Sequence, residues 1–256
     1  MSKPISITLH LRRAGRALAL AIFISLAVAP GAFAVGSGTA CTHGGNYGSV
    51  KCVNGQNNER FYGAFDDFVD VALEASGASS SNPVHTNQAM WLYTHSDGSQ
   101  WVELGIRRGY WVPCSCVKYT RYWAEFTSSG AEMRHTLTTP AAPNGEHTYE
   151  ILRSTSDHTR WNVYVDYNLK GQATYQNSAT GYEIENGLET TALNTTTSSG
   201  LANHSPLEYM NAAGAFVHYS YERHWRDQPC SGTSTGATCM TGYATGEYDV
   251  WKAAKG

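Results

Sequence analysis

The stretch Trp161-Asn162-Val163-Tyr164-Val165-Asp166-Tyr167 alternates large apolar side chains with polar ones over seven residues. On a β-strand successive side chains point to opposite faces, so the apolar residues would share one face and the polar residues the other. β-branched and aromatic residues also favour the extended conformation. The segment therefore predicts a strand that is buried on one side.

Similar segments recur at short spacing on both sides of this strand. Ala89–Thr94 leads through Ser96-Asp97-Gly98 into Trp101–Trp111, which is typical of a hairpin, and a turn over residues 168–171 leads into Gln172–Gln176. Helical periodicity is nearly absent, although Phe61–Leu73 fits a helix as well as a strand. Eight to twelve strands without crossover helices predict an all-β fold, an antiparallel two-sheet β-sandwich of the jelly-roll type.

The chain begins with the pattern of a secretion signal. Residues 1–34 carry four basic residues, an apolar core at Ala17–Ala29 and the small-residue pattern Ala32-Phe33-Ala34. The apolar core is shorter than a membrane span requires. We expect a secreted, extracellular protein in which residues 35–256 form one domain, with residues 35–60 irregular.

The charge balance narrows the classes of partner. The predicted signal holds four of the 18 basic residues and none of the 21 acidic ones, so the remaining chain is acidic. An acidic surface argues against nucleic acids and anionic membranes as partners. We expect a monomer that acts on an extracellular polypeptide or polysaccharide.

All six cysteines follow the predicted signal, and an even count in a secreted chain indicates disulfides. Proximity in sequence favours the pairs Cys41–Cys52 and Cys230–Cys239. Cys114 and Cys116 remain, and a bridge across one residue would be strained. Cys-x-Cys without a second pair at zinc spacing is a weak metal signal, so we expect neither a metal nor a cofactor.

The stretch Tyr182-Glu183-Ile184-Glu185-Asn186-Gly187-Leu188-Glu189 is unusually acidic for this chain. On a strand Glu183 and Glu185 would share a face, and two neighbouring carboxylates raise at least one pKa, as acid–base catalysis requires. The alternative is a solvated strand edge with a turn at Asn186-Gly187.

Two further segments combine carboxylates with aromatic side chains. In Trp101-Val102-Glu103-Leu104-Gly105, the side chains of Val102 and Leu104 would face the core, while Trp101 and Glu103 line the other face. In Tyr122-Trp123-Ala124-Glu125-Phe126, Trp123 and Glu125 would share a face. We expect Trp101, Glu103, Trp123, Glu125, Glu183 and Glu185 to lie on one concave surface.

The order of these motifs resembles that of the glutamic peptidases, or eqolisins, and of related secreted proteins with the concanavalin A-like lectin and glucanase fold. The resemblance rests on Met90-Trp91-Leu92, Val102-Glu103-Leu104-Gly105, Trp123-Ala124-Glu125-Phe126 and Tyr182–Asn186, and covers residues 61–225. It implies a concanavalin-like sandwich and a hydrolase in which Glu185 is the catalytic glutamate. Trp91, Trp101, Trp123, Glu125 and Glu183 would then contact substrate.

The sequence departs from the family at the second catalytic position, where Glu103 stands in place of glutamine. A protonated Glu103 would still donate a hydrogen bond to an oxyanion, and a close pair of glutamates would share a proton in acid. The same fold also hosts carbohydrate-binding proteins and glycoside hydrolases. Two alternatives therefore remain open, a carbohydrate-binding or carbohydrate-cleaving protein that uses the same groove and a non-catalytic secreted binding protein.

Overall fold

The computed structural model describes residues 41, 47–54, 60–75, 77–140, 142–143, 145–191, 202–219, 223–226, 240–243 and 251–255. These residues form strands connected by turns and a single 3₁₀ turn at Val112–Cys114. In this part of the chain no helix is long and apolar enough to cross a membrane. In chain order the strands are β1 (Tyr47–Asn54), β2 (Gly63–Val69), β3 (His85–Tyr93), β4 (Trp101–Trp111), β5 (Cys116–Phe126), β6 (Glu132–Thr138), β7 (Glu146–Arg153), β8 (Trp161–Val165), β9 (Asn168–Ala173), β10 (Glu183–Thr190), β11 (Ala202–Met210), β12 (Phe216–His218), β13 (His224–Arg226), β14 (Met240–Tyr243) and β15 (Trp251–Lys255).

The strands assemble into two antiparallel sheets, which confirms the predicted all-β sandwich. The first sheet has seven strands in the order β13-β1-β10-β3-β4-β5-β6. The second has eight, with the order β14-β15-β11-β2-β7-β8-β9 and β12 paired to β11. The predicted hairpin is β3–β4, in which Tyr93 pairs with Trp101.

The main hydrophobic core joins the two sheets. The seven-stranded sheet contributes Leu92, Leu104 and Ile184, and the eight-stranded sheet contributes Ile151 and Val163, all fully buried. Because side chains alternate along a strand, the neighbouring residues of β3, β4 and β10 point away from this core. We call that opposite side of the seven-stranded sheet the outer face.

Close contact between β3 and β4 requires a glycine at residue 105. Gly105 pairs with Ala89, and a Cβ atom at residue 105 would lie 2.2 Å from the carbonyl oxygen of Gln88 and 2.7 Å from the Cβ of Ala89. Only a residue without a side chain fits there.

The prediction that residues 35–60 are irregular is wrong for Tyr47–Asn54. These residues form β1 in the interior of the seven-stranded sheet. The glycines and asparagines around this strand concealed its short alternation, in which Val50 and Cys52 are buried on the outer face.

The ambiguous segment Phe61–Leu73 contains the strand β2 rather than a helix. Its core face carries Asp66 between Ala64 and Phe68, which breaks the apolar alternation. The Asp66 carboxylate is buried with a partner, because His204 Nδ1 lies 2.5 Å and Asn186 Nδ2 lies 2.9 Å from its Oδ2 atom.

The turn predicted over residues 168–171 lies earlier in the chain. Asp166 and Tyr167 adopt positive φ angles of 50° and 60°, so they form the turn, and β9 begins at Asn168. Two consecutive left-handed residues match the twist of a tight hairpin.

Two disulfides lie among the described residues. Cys41–Cys52 is confirmed, and Cys114 and Cys116 are also bonded to each other, with a Cα–Cα distance of 5.2 Å that falls within the usual range. The predicted secretion signal at residues 1–34 and the predicted Cys230–Cys239 pair lie outside the described residues. The assignment of residues 35–256 to one domain stays a prediction.

Candidate functional site

Glu185, Trp91 and Glu103 form one row across three adjacent strands of the seven-stranded sheet. Glu185 pairs with Trp91, and Trp91 pairs in turn with Glu103. Directly paired residues share a face, so all three side chains project from the outer face. Two strand spacings separate the glutamates, which corresponds to roughly 9.5 Å between their Cα atoms.

A cavity of about 260 Å³ opens on the outer face beside this row. One part of its lining is aromatic and the other is polar or charged. The lining residues are Trp91, Tyr93, Trp101, Phe126, His85, Asn87, Glu103, Arg107, Glu132 and Glu189. Trp101 and Phe126 stack at 3.9 Å between ring centroids, so the aromatic part is a flat wall.

Glu103 is a buried carboxyl group that lines the cavity, with only 5% of its surface exposed. Its Oε1 atom accepts hydrogen bonds from the Tyr122 hydroxyl and, at 3.2 Å, from Asn87 Nδ2. Burial and then the negative charge of Glu189 raise the pKa of Glu103 to about 7, against the lowering effect of the Tyr122 hydrogen bond. A carboxyl group in this state is protonated in acid and donates a hydrogen bond.

Glu189 is a site residue that the sequence interpretation did not single out. It lies on the outer face 7% exposed, and Asn87 Nδ2 donates to its Oε1 atom at 3.2 Å. His85 Nε2 lies 3.8 Å from the same oxygen. Burial is the main cause that lowers the pKa of His85, while Glu189 acts in the opposite direction.

The spacing of the glutamates in the sequence could have identified Glu189. Residues 183, 185, 187 and 189 follow the period of two of a strand, so Glu189 shares the face of Glu183 and Glu185 once the strand continues through Asn186-Gly187. The structure has this continuous strand, and the alternative turn at Asn186-Gly187 does not form.

Glu185 and Glu183 lie deeper than Glu103 on the outer face. Both are completely buried, and neither lines the cavity. The Tyr93 hydroxyl donates to Glu185 Oε2 at 3.3 Å. Burial and the charges of Glu185 and Glu183 raise the pKa of Tyr93 well above its usual value, so Tyr93 keeps its proton. Tyr93 also lines the cavity, so this residue lies between the cavity and Glu185.

The prediction that Trp123 lines the same surface as Glu103 is wrong. Ala124, rather than Trp123, pairs with Glu103, so Trp123 points from β5 to the core side. There it packs in the main core beside Gly171, where a Cβ atom would lie 2.6 Å from the indole ring.

Glu125 also does not line the cavity. It accepts hydrogen bonds from backbone groups near the end of β9. The backbone nitrogens of Thr174 and Tyr175 each donate to its Oε2 atom at 2.9 Å. Its role in this structure is to fix that segment against β5.

One group of three ligand atoms among the described residues is close enough to share a metal ion, and it comprises Cys41, Cys52 and Glu183. The two sulfur atoms form a disulfide with each other. Metal binding by cysteine requires the thiolate, so this group does not fit a metal in the oxidised protein.

No family model and no curated protein sequence matches the chain. Among solved structures, scytalido-glutamic peptidase with a transition state analogue inhibitor superimposes with a TM-score of 0.52 at 8% identity, over 82% of this chain and 98% of that chain. SCP-B, a member of the eqolisin family in complex with the tripeptide Ala-Ile-His, gives a TM-score of 0.51 at 10% identity over the same shares.

A Bacillus licheniformis β-glucanase matches at a TM-score of 0.35 and 17% identity, over 61% of this chain and 78% of that chain. The identities of 8% and 10% to the two glutamic peptidases bear on the fold alone. The resemblance that the sequence motifs indicated is thus confirmed as a structural one: this chain has the β-sandwich fold of the glutamic peptidases.

Proposed function

We propose that this protein is a secreted, monomeric, acid-active hydrolase that cleaves peptide bonds without a cofactor, in the manner of the glutamic peptidases. The observation that carries the proposal is Glu103, a buried carboxyl group with a pKa of about 7 that lines a cavity with aromatic walls. In acid its proton makes it a hydrogen-bond donor, which replaces the amide that the family has at this position.

In the proposed pair, Glu185 is the general base and protonated Glu103 is the hydrogen-bond donor. Glu185 removes a proton from water, and the water oxygen bonds to the carbonyl carbon of the peptide. Protonated Glu103 donates a hydrogen bond to the oxyanion that forms. Glu185 then returns the proton to the leaving amine as the carbon–nitrogen bond breaks.

The register of the sheet supports a substrate position above Trp91. Glu103 and Glu185 lie on either side of this residue in one row. A peptide lying across Trp91 would contact Glu103, whereas Glu185 is completely buried and does not line the cavity. The Tyr93 hydroxyl donates to Glu185, and Tyr93 is one of the residues that line the cavity. We therefore assign Tyr93 the role of relaying the proton between water in the cavity and Glu185.

A glycoside hydrolase is the second candidate, and a different carboxylate favours it. Glu103 and Glu189 both accept from Asn87 Nδ2, so their oxygens lie within two hydrogen-bond lengths of each other. Retaining glycosidases hold their two carboxyl groups about 5–5.5 Å apart. The stacked pair Trp101 and Phe126 would give a sugar ring a flat apolar wall.

Cleavage assays separate the two candidates. The purified protein should cleave denatured casein in acid, with activity falling as the pH rises through about 7, where Glu103 loses its proton. Glu185→Gln should slow cleavage by about 10²–10⁴-fold. The matched control is Glu146→Gln, a change at an exposed glutamate of β7 in the other sheet.

If the protein hydrolyses a member of a polysaccharide panel and does not cleave casein, the glycoside hydrolase proposal holds and the peptidase proposal is wrong. Binding of a polypeptide or polysaccharide without any cleavage would instead identify a non-catalytic binding protein.

A further inference from the structure

The tip of the β4–β5 hairpin carries an exposed disulfide. Cys114 and Cys116 are bonded across one residue, and every residue from Val112 to Cys116 is exposed, with Val112 at 77%. An external thiolate must approach a sulfur atom directly to attack it, so exposure is the first condition for exchange. This bridge meets that condition.

The other described disulfide provides the contrast within the same molecule. Cys41 and Cys52 are 5% and 0% exposed, and they pack with Val50, Trp91 and Tyr93 on the outer face. This bridge is shielded from thiols in solution as long as the sheet stays folded.

The hairpin does not depend on the exposed bridge. β4 and β5 pair along their whole length, from Trp101 opposite Phe126 to Trp111 opposite Cys116. A bridge across one residue closes a very short loop and therefore constrains the unfolded chain little. The intervening Ser115 has a φ of 51°, a left-handed conformation that a residue other than glycine rarely adopts. Reduction would release this residue without opening the ladder.

Lys118 places a positive charge on the same strand face as one of the two cysteines. Lys118 follows Cys116 by two residues on β5, so both side chains leave the same face of the strand. The ammonium group of Lys118 lies 4.7 Å from the centre of the Trp111 ring, and Trp111 is the residue directly opposite Cys116. A nearby cation stabilises a thiolate, so Cys116 is the better leaving group.

We propose that Cys114–Cys116 is a thiol–disulfide exchange site that oxidises an external dithiol. One thiolate of the dithiol attacks the sulfur of Cys114, the Cys114–Cys116 bond breaks, and Cys116 leaves as a thiolate. The second thiol of the partner then attacks the mixed disulfide, which leaves the partner as a disulfide and Cys114 and Cys116 as two thiols. Two electrons and two protons pass from the partner to this protein, so the step balances without another reactant.

Dithiothreitol is the probe for the test. The folded protein is exposed to graded concentrations, free thiols are trapped with N-ethylmaleimide, and mass spectrometry of peptides measures each cysteine separately. Cys114 and Cys116 should be reduced at least about ten-fold faster than Cys41 and Cys52, while the near-ultraviolet circular dichroism stays native. Equal rates for the two bridges, or reduction of Cys114–Cys116 only after unfolding, would overturn the proposal.

A charge variant tests the site separately from its exposure. Lys118→Met should slow reduction of Cys114–Cys116 several-fold, and the effect should shrink at high salt because screening weakens the attraction. Lys170→Met, at an exposed lysine of β9 in the other sheet, is the matched control. If both variants react like the unmodified protein, Lys118 does not activate the leaving thiolate, and the bridge is a structural link that happens to be exposed.

Discussion

Glu103 and Glu189 accept hydrogen bonds from the same amide nitrogen, Asn87 Nδ2, at 3.2 Å each. Two carboxylates this close cannot both ionise easily in a buried setting, and the charge of Glu189 is the second largest cause that raises the pKa of Glu103. The outer face therefore holds an acid whose protonation depends on an identified neighbour, and this dependence can be measured.

The stability of the protein should fall as the pH rises from about 4.5 to about 7 because of Glu103. Its pKa is raised from 4.5 to about 7 in the folded state. Over this interval the unfolded chain releases the proton and the folded chain retains it, so the folded state loses stability. The contribution is on the order of 3 kcal/mol. Urea unfolding at pH 4.5 and at pH 7.5 measures it.

Glu103→Gln should remove this component of the slope, since an amide does not titrate. Glu146→Gln, at an exposed position on β7, should leave the Glu103 component of the slope as it is. A slope that Glu103→Gln does not change would show that Glu103 titrates normally in the folded protein.

Replacing Glu185 by glutamine and replacing Glu189 by glutamine should have different effects on activity. If Glu185 is the base, Glu185→Gln should lower kcat by about 10²–10⁴-fold, the usual contribution of a general base. Glu189→Gln should keep most of the activity. It should also lower the pKa of Glu103 by removing a like charge, which moves the alkaline limb of the kcat/KM profile to lower pH.

The reverse result would exchange these roles. Loss of activity in Glu189→Gln together with near-normal activity in Glu185→Gln would make Glu103 and Glu189 the working pair.

Tyr122→Phe should shift the alkaline limb of the kcat/KM profile to higher pH. The Tyr122 hydroxyl donates to Glu103 and thereby lowers its pKa, so its removal should raise the pH at which Glu103 ionises. Carboxyl ¹³C NMR of the labelled protein follows this titration without any assay of activity. Tyr62→Phe is the control, because Tyr62 packs against Arg153 rather than against a carboxylate of the cavity.

The fold was predictable from the sequence because most strands bury one apolar face. Trp161–Val165 shows the period of two that a half-buried strand requires, and in β4 Val102, Leu104 and Ile106 alternate with residues of the other face. β1 and β2 were harder, because β1 lies among glycines and asparagines and β2 carries the buried Asp66 on its core face. Partners distant in sequence, His204 and Asn186, satisfy that carboxylate, and a local pattern does not contain them.

The candidate site was predictable only in part, for a related reason. Glu103, Trp91 and Glu185 were found because each lies in a short motif, and the sheet brings all three into one row. Asn87 and Glu189 were missed because their importance arises from a contact between β3 and β10. Trp123 and Glu125 were placed on the wrong face because an aromatic residue beside a carboxylate resembles a groove wall whichever way the strand faces.

Trp123 and Glu125 should therefore affect stability rather than activity. Trp123→Ala should cost about 3–5 kcal/mol of unfolding free energy, the usual loss for a large buried aromatic side chain. Glu125→Ala should cost about 3 kcal/mol, because two backbone N–H groups lose a charged acceptor. Glu125→Gln keeps one carbonyl oxygen and should lose less. Chemical denaturation measures the stability of all three variants. A fall in kcat/KM per folded molecule would show that Trp123 or Glu125 takes part in the reaction after all.

Tyr93→Phe tests the connection between the cavity and Glu185. The Tyr93 hydroxyl donates to Glu185 Oε2, and its ring packs against Trp101 at 5.6 Å between centroids. Tyr93 is also one of the residues that line the cavity. Phenylalanine keeps the ring and removes the relay, so kcat should fall at least about ten-fold with little change in KM. An unchanged kcat would mean that water reaches Glu185 directly. A raised KM with normal kcat would mean that the Tyr93 hydroxyl binds substrate and carries no proton.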